Sequence, residues 1–266
     1  MISQQITQAF QVFRMELDDH NERRERLIKA SRDITNLSKK VIFLLHRLVM
    51  EESTGGKDTD PEDVIRHAGA KGRQKLTEVQ NLYSGLKREL EGDRFWRYER
   101  QVSPGLQEYI EALSLSHFME HGTLITYDQV QQTLSDSSGA PHFLLPVYDY
   151  LLGLSDLTGE LMRFAISGIG RRGGRAKANT ICRFVRSCKA DFDRFTPYIR
   201  DLAKKQAVTV QSLEKIEDAV YAVAVRTSEY DVPPELMDDI VALSVSNYRK
   251  PARIGERDIG GDREGE

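Results

Sequence analysis

The sequence has few of the residues that usually announce chemistry. Only two of its 266 residues are cysteine, Cys182 and Cys188. Six positions apart on a helix, they point in different directions, so no disulfide between them is expected and no cysteine-based metal spacing exists. Such usage suits a reducing compartment, and cytoplasm and nucleus are the expected locations. None of the six histidines follows a glutamate by three residues, which excludes the paired Glu-x-x-His of a di-iron bundle. Zinc would need His or Cys ligands that the spacing does not supply. No Ser-His-Asp or Cys-His nucleophile can be assembled from the pattern. No apolar run approaches the ~20 residues that span a bilayer. The opening MISQQITQAFQVF has neither the basic start nor the apolar core of a secretory signal, so no membrane role is expected. Basic charge is not in excess either: the formal net charge is -3. A protein that grips nucleic acid through overall charge is basic, so any such binding must come from a local patch or a partner.

Helical periodicity fills the rest. Hydrophobic residues make up 39% and charged residues 30%, as expected for a globular chain with a well-solvated surface. Phe10, Phe13, Leu17, Leu27, Ile34, Val41, Leu44 and Leu48 recur mostly at steps of 3, 4 and 7. They predict one very long helix or two joined near residues 18–21. Residues 53–63 read as a loop, and 61–90 as a helix with Pro61 in its first turn. A third helix covers 94–120, with Pro104 as a kink or junction. A short helix follows, capped by Thr126 or Asp128, then a loop at 135–142. Further helices are predicted at 147–169, 178–195 and 197–227, and a short last one near 230–243. No strand is expected. The class is all-α: a helical domain over 1–248 and a charged, disordered tail over 249–266.

Two of these helices carry acids in unusual company. In GLQEYIEALSLSHFMEH, Leu106, Tyr109, Ile110 and Leu113 form one apolar face. Glu108 and Glu111 lie one turn apart on the other side, which continues into Ala112, Leu115 and Met119. A helix apolar on both sides is sandwiched in a core, where an unpaired carboxylate is costly. In VYDYLLGLSDLTGELMRFAI, Asp149, Asp156 and Glu160 form an acidic stripe with Gly153, among apolar side chains. Gly153 and Gly159 lower helix stability by roughly 1 kcal/mol each relative to Ala, a pattern that often permits close approach of another backbone. One reading is a stripe paired with basic side chains such as Arg163 or Arg32. The other is an all-oxygen site for a hard cation, Mg²⁺ or, second, Mn²⁺, of the kind used in phosphoryl chemistry.

Basic residues cluster locally. In DRFWRYERQ, Arg94, Arg97 and Arg100 recur about once per turn beside Phe95, Trp96 and Tyr98. Cations beside rings suit single-stranded nucleic acid, and an arginine row over a packed tryptophan explains the pattern about as well. GIGRRGG matches G-x-G-x-x-G, but a helix precedes it and no βαβ unit surrounds it, so a dinucleotide role is excluded. Arg171, Arg172 and Arg175 of that basic, glycine-rich loop remain candidates for phosphate contacts.

The segments SRDITNLSKKVIFLLHR (31–47), GLQEYIEALSLSHFME (105–120), DYLLGLSDLTGELMR (149–163) and SLEKIEDAVYAVAVRTSE (212–229) closely resemble, in order, the translin-associated factor X (TRAX) branch of the translin family. The similarity runs from about residue 10 to residue 243. It implies a seven-helix bundle that assembles with translin into a closed, barrel-like hetero-oligomer around RNA. It further implies a Mg²⁺-dependent endoribonuclease for single-stranded RNA, with small-RNA and precursor-tRNA fragments as substrates and single-stranded DNA as a further ligand. The family's acidic motif residues fall on Glu108, Glu111, Asp156 and Glu160, the four that the helical wheel selects, as catalytic and metal-holding groups. Asp149 also matches the motif without an assigned ligand role. The alternative is a subunit that binds single-stranded RNA or DNA without cutting it, and beyond that a plain helical scaffold.

Overall fold

The periodic pattern becomes helix almost throughout. The computed structural model describes residues 2–52, 60–170, 173–229, 239–241 and 243. Seven helices follow one another: α1 (Ile2–Glu52), α2 (Pro61–Leu90), α3 (Arg94–His121), α4 (Tyr127–Thr133), α5 (Val147–Gly168), α6 (Gly174–Phe195) and α7 (Leu202–Glu229). Residues 239–241 and 243 are also helical. No strand is present among the described residues, only an isolated bridge between Ser135 and Pro141. No described helix is long and apolar enough to cross a membrane.

The local signals explain most boundaries. Asp60 caps α2 by accepting from the Glu62 amide at 3.1 Å, ahead of Pro61. Thr126, not Asp128, caps α4, in a reciprocal box with Gln129. α3 ends at Gly122, whose φ of 70° lets its amide reach the Phe118 carbonyl at 2.8 Å. Two boundaries differ from expectation. α6 starts at Gly174 rather than 178, because left-handed Gly173 turns the chain and its carbonyl accepts from Lys177. α7 starts at Leu202 rather than Pro197: Tyr198 and Ile199 still bond back to the Phe195 carbonyl, and Leu202 to Ile199. The charged segment 249–266 and the prolines near 233 lie outside the described residues.

α1 is a single helix, with no junction at 18–21. Its first third differs from the sequence expectation. Phe10, Phe13 and Leu17 belong to no core; they are 68%, 56% and 63% exposed. Burial along α1 begins at Leu27 and continues through Ile34, Val41 and Leu45.

α3 is the central helix, packed against α1, α2 and α5, while α5 also meets α6 and α7. It is buried on both sides, with Leu106, Tyr109, Ile110 and Leu113 inside and Ala112, Leu115 and Met119 inside too. Each of the leucine, isoleucine and methionine side chains contributes roughly 1.5–3 kcal/mol by leaving water. α3 continues as one helix through Pro104. Proline gives no N–H to the Arg100 carbonyl, but the next amide, Gly105, donates to Ser31 Oγ of α1 at 3.1 Å and ties the weak point across the interface.

Candidate functional site

Two glycines set where the acids fall. A Cβ on Gly105 would sit 2.8 Å from the Ser31 carbonyl oxygen, so α3 lies close on α1 there. A Cβ on Gly153 would sit 2.8 Å from Ile110 Cβ and 2.9 Å from the Gln107 carbonyl oxygen, so α5 lies close on α3. Glu108 is one turn beyond Gly105, and Asp156 one turn beyond Gly153. The tight crossing therefore brings the α3 pair and the α5 pair together. Gly159 has open space within 4 Å, so its expected role in close approach is not met.

The four acids differ in their partners. Glu111 is 9% exposed and has no hydrogen bond or ion pair among the described residues. Burial, followed by the charges of Asp156, Glu160 and Glu108, pushes its carboxyl up to about 8, while Lys205 opposes the shift. Glu108 meets Lys39 Nζ at 3.3 Å through one oxygen, and its other oxygen, Oε2, is buried without a partner. Asp156 accepts from Lys205 of α7, which also donates to the Leu152 carbonyl at 3.3 Å and to Gln107 Oε1 at 3.4 Å. Glu160, nearly buried, meets His46 Nε2 of α1 at 2.8 Å and Arg163 Nη1 at 2.6 Å.

Asp149 is fully buried and committed elsewhere. Ser103 Oγ donates to one of its oxygens at 2.9 Å, and Gln107 Nε2 to the other at 2.7 Å. Burial raises its carboxyl above the ordinary range against those two bonds. It fixes Gln107, which in turn touches Lys205, so its place is to hold the site's wall.

Both sequence readings find footing here. Arg163 does pair with Glu160, but as an exposed neighbour on the same helix. Arg32 does not reach the stripe. The side chains that do are Lys205, on Asp156, and His46, on Glu160, while Lys39 meets Glu108 on α3; the periodicity singled out none of the three. As they stand, no three His, Cys, Asp or Glu side chains among the described residues are arranged to hold a metal ion. The chemistry of the donor set still fits a hard cation: four carboxylates, one with an orphaned buried oxygen and one unbonded in the field of the other three. Their existing partners, chiefly Lys39, Lys205 and His46, would have to yield.

The basic residues separate. Arg94 donates to the Arg88 carbonyl at 3.0 Å, at the end of α2. Arg97 is exposed. Arg100 lines a groove of about 550 Å³ between α1 and α3, together with Arg24, Arg32, Asn36 and Pro104. Arg94, Arg97 and Arg100 are all exposed on α3, and Arg100 also shares a groove with two arginines of α1. One turn further along both helices lies the Lys39–Glu108 pair. Arg171 and Arg172 lie outside the described residues.

Residues 22–227 match the Translin family. Over 266 aligned residues the chain is 34% identical to Translin-associated protein X of Rattus norvegicus, covering 91% of this chain and 85% of that protein. It is 26% identical to the Translin-associated protein X homolog of Schizosaccharomyces pombe, over 84% and 90% of the two chains. It is 24% identical to Translin of Gallus gallus, over 75% and 88%. The fold superposes on the crystal structure of apo-NeC3PO with a TM-score of 0.60, at 18% identity, covering 80% of this chain and 95% of the other. It superposes on AfC3PO in complex with duplex RNA with a TM-score of 0.58, at 20% identity, covering 81% and 96%. Identities that low speak for the fold alone.

Proposed function

The chain belongs to the translin family, and from that premise we propose that it is the carboxylate-bearing subunit of a translin-type hetero-oligomer that cleaves single-stranded RNA with the help of Mg²⁺, or Mn²⁺ in its place. The observation that carries this reading is Glu111: a buried, unbonded carboxyl that two helices surround with Glu108, Asp156 and Glu160. Four acids at one crossing cost a structural core free energy, whereas cleavage of a phosphodiester can use them. A divalent ion supplies positive charge against the phosphate and acidifies water. Glu108, Glu111, Asp156 and Glu160 would hold it. With a cation bound, Glu111 would be held ionised, and whichever carboxylate is left free would orient water as general base. Lys39 and Lys205, released from their carboxylates, are placed to meet phosphate oxygens.

Assembly with a translin-type partner is supported by the exposed start of α1, where Ile6, Phe10, Val12, Phe13, Met15 and Leu17 have no cover. The names of the relatives, Translin-associated protein X, point the same way. Duplex RNA is the polymer in the AfC3PO complex, and the arginine groove one turn from the Lys39–Glu108 pair suits a phosphate backbone.

A second reading, an RNA-holding subunit that does not cut, has one observation in its favour: three of the four acids already have basic partners. Cleavage of a labelled single-stranded RNA by the complex, with Mg²⁺ and with EDTA, decides between them. Loss of cleavage in Glu111→Ala and Asp156→Ala complexes that still assemble and bind RNA supports the enzyme. Full activity in both removes the acids from the mechanism.

A further inference from the structure

The side of α1 next to the acids carries an aromatic ring with no structural employment. Phe43 is 68% exposed on a helix whose neighbouring positions Val41, Ile42 and Leu45 are buried. It contributes little to the core, and a solvated phenyl ring is unfavourable by itself. Its position is specific. Lys39, four residues before it, reaches Glu108, and His46, three residues after it, reaches Glu160. Residues at such spacings are neighbours on one helix face, about 6 Å apart at Cβ. Phe43 therefore stands at the mouth of the carboxylate crossing, between the two α1 side chains that touch it.

The surrounding charge is complementary to a nucleic-acid strand. Lys39, Lys40 and Arg47 are exposed within one turn of Phe43. Further back on the same helix, Arg32 and Asn36 line the groove shared with Arg100. Cations spaced along a track with an exposed ring among them form the arrangement that binds single strands: the cations take phosphates and the ring takes a base. A phosphate at the acids would leave its neighbouring base within reach of this ring.

We infer that Phe43 is a nucleobase-stacking subsite for single-stranded RNA, holding the base adjacent to the phosphate that lies at the Glu108, Glu111, Asp156 and Glu160 crossing. The inference rests on the functional reading above. It adds a source of selectivity: a base must be unstacked from its own helix to lie on Phe43, so a paired strand gains nothing there. Phe43 is a positioning residue and takes no part in bond breaking.

The test uses the complex with its translin partner and a short fluorescein-labelled oligoadenylate, with binding measured in EDTA so that no cleavage intervenes. Phe43→Ala should weaken binding by about 5- to 140-fold, the range for loss of one base–aromatic stack. Phe43→Trp should restore it and Phe43→Leu should not, because leucine supplies apolar bulk without a π face. In a Trp96→Phe background, where position 43 holds this chain's one tryptophan, the indole emission that Phe43→Trp adds over the Trp96→Phe complex should be quenched by the oligonucleotide. An RNA duplex should bind equally to wild type and Phe43→Ala. Unchanged affinity in Phe43→Ala with wild-type cleavage overturns this inference and leaves the functional reading standing. Equal rescue by leucine also overturns it. A changed assembly size in Phe43→Ala assigns the ring to a subunit contact and overturns it as well. Absence of any RNA binding by the wild-type complex overturns the functional reading, and this one with it.

Discussion

Glu111 makes the molecule's pH dependence readable at a single atom pair. An ordinary glutamate loses its proton near 4.5, but this one holds its proton up to about 8. Between those values the unfolded chain has released a proton that the folded chain retains. Metal-free stability should therefore fall as pH rises across that window, most steeply where Glu111 is still protonated and free glutamate is not. Thermal melts in EDTA at pH 6 and pH 8.5 should differ by a few degrees in wild type and much less in Glu111→Gln, which cannot ionise. Manganese should restore the wild-type melt at the higher pH and have little effect on the variant. Lys205 makes an opposite case. Lys205→Met leaves Asp156 without its cation and should lower metal-free stability by about 1–3 kcal/mol. It should also tighten Mn²⁺ binding in calorimetry, because the ion no longer displaces an ammonium group; weaker binding would mean that Lys205 supports the ion instead of competing with it.

At the scale of elements, the glycines of α5 offer a paired comparison. A side chain at Gly153 meets Ile110 and the Gln107 carbonyl, and must push α5 off α3. Gly153→Ala should destabilise by about 1–3 kcal/mol and reduce RNA cleavage, by spreading the two acid pairs. Gly159→Ala has open space and should be neutral or stabilising by up to about 1 kcal/mol. Denaturant midpoints of the two variants measure this directly, and equal effects would remove the close crossing from the account. The same crossing marks what was legible in the sequence. The spans of α2, α3 and α5, and the selection of Glu108, Glu111, Asp156 and Glu160, follow from apolar periodicity and from acids that interrupt it. Lys39, His46 and Lys205 were not legible. Lys205 lies 49 residues from Asp156 and reaches it only because α7 packs on α5. Nothing in the local pattern of α7 distinguishes it from Lys204, which is exposed and pairs with Asp201. Likewise the local pattern of 94–100 does not show that Arg94 turns back to α2 while Arg100 faces α1 across a groove that only tertiary packing creates.

For the whole molecule, charge and apolar exposure locate two kinds of contact. Replacing Arg24, Arg32 and Arg100 by Ala should weaken RNA binding and flatten its salt dependence, since each phosphate contact adds roughly one unit to the slope. The Arg94→Ala and Arg97→Ala pair should change the slope less. Salt titrations of both variants rank the two surfaces, and the reverse order would move the RNA path to the α2–α3 end. Deleting residues 2–19 should leave the melting behaviour of the bundle nearly intact, because burial in α1 starts at Leu27. It should, however, reduce co-purification with the partner. Unaltered assembly would place the partner's contact elsewhere.

The length of α1 also shapes how the chain is born. It is 51 residues long, about 75 Å of helix, and is synthesised first. Its main packing partner, α3, is complete only about 70 residues after α1 ends, on the order of 4 to 14 seconds later at typical translation speeds. Until α2 and then α3 follow, Leu27, Ile34, Val41 and Leu45 face water or a chaperone. Ribosome-bound chains long enough to carry α1 clear of the exit tunnel, but not α3, should be cut readily within α1 by added protease, and chains long enough to carry α3 clear of it should resist over 27–52 while 6–19 stays open. Protection of the early chain would mean that α1 finds cover before its own bundle exists. The exposed first turns would then be met by the partner while the protein is still being made.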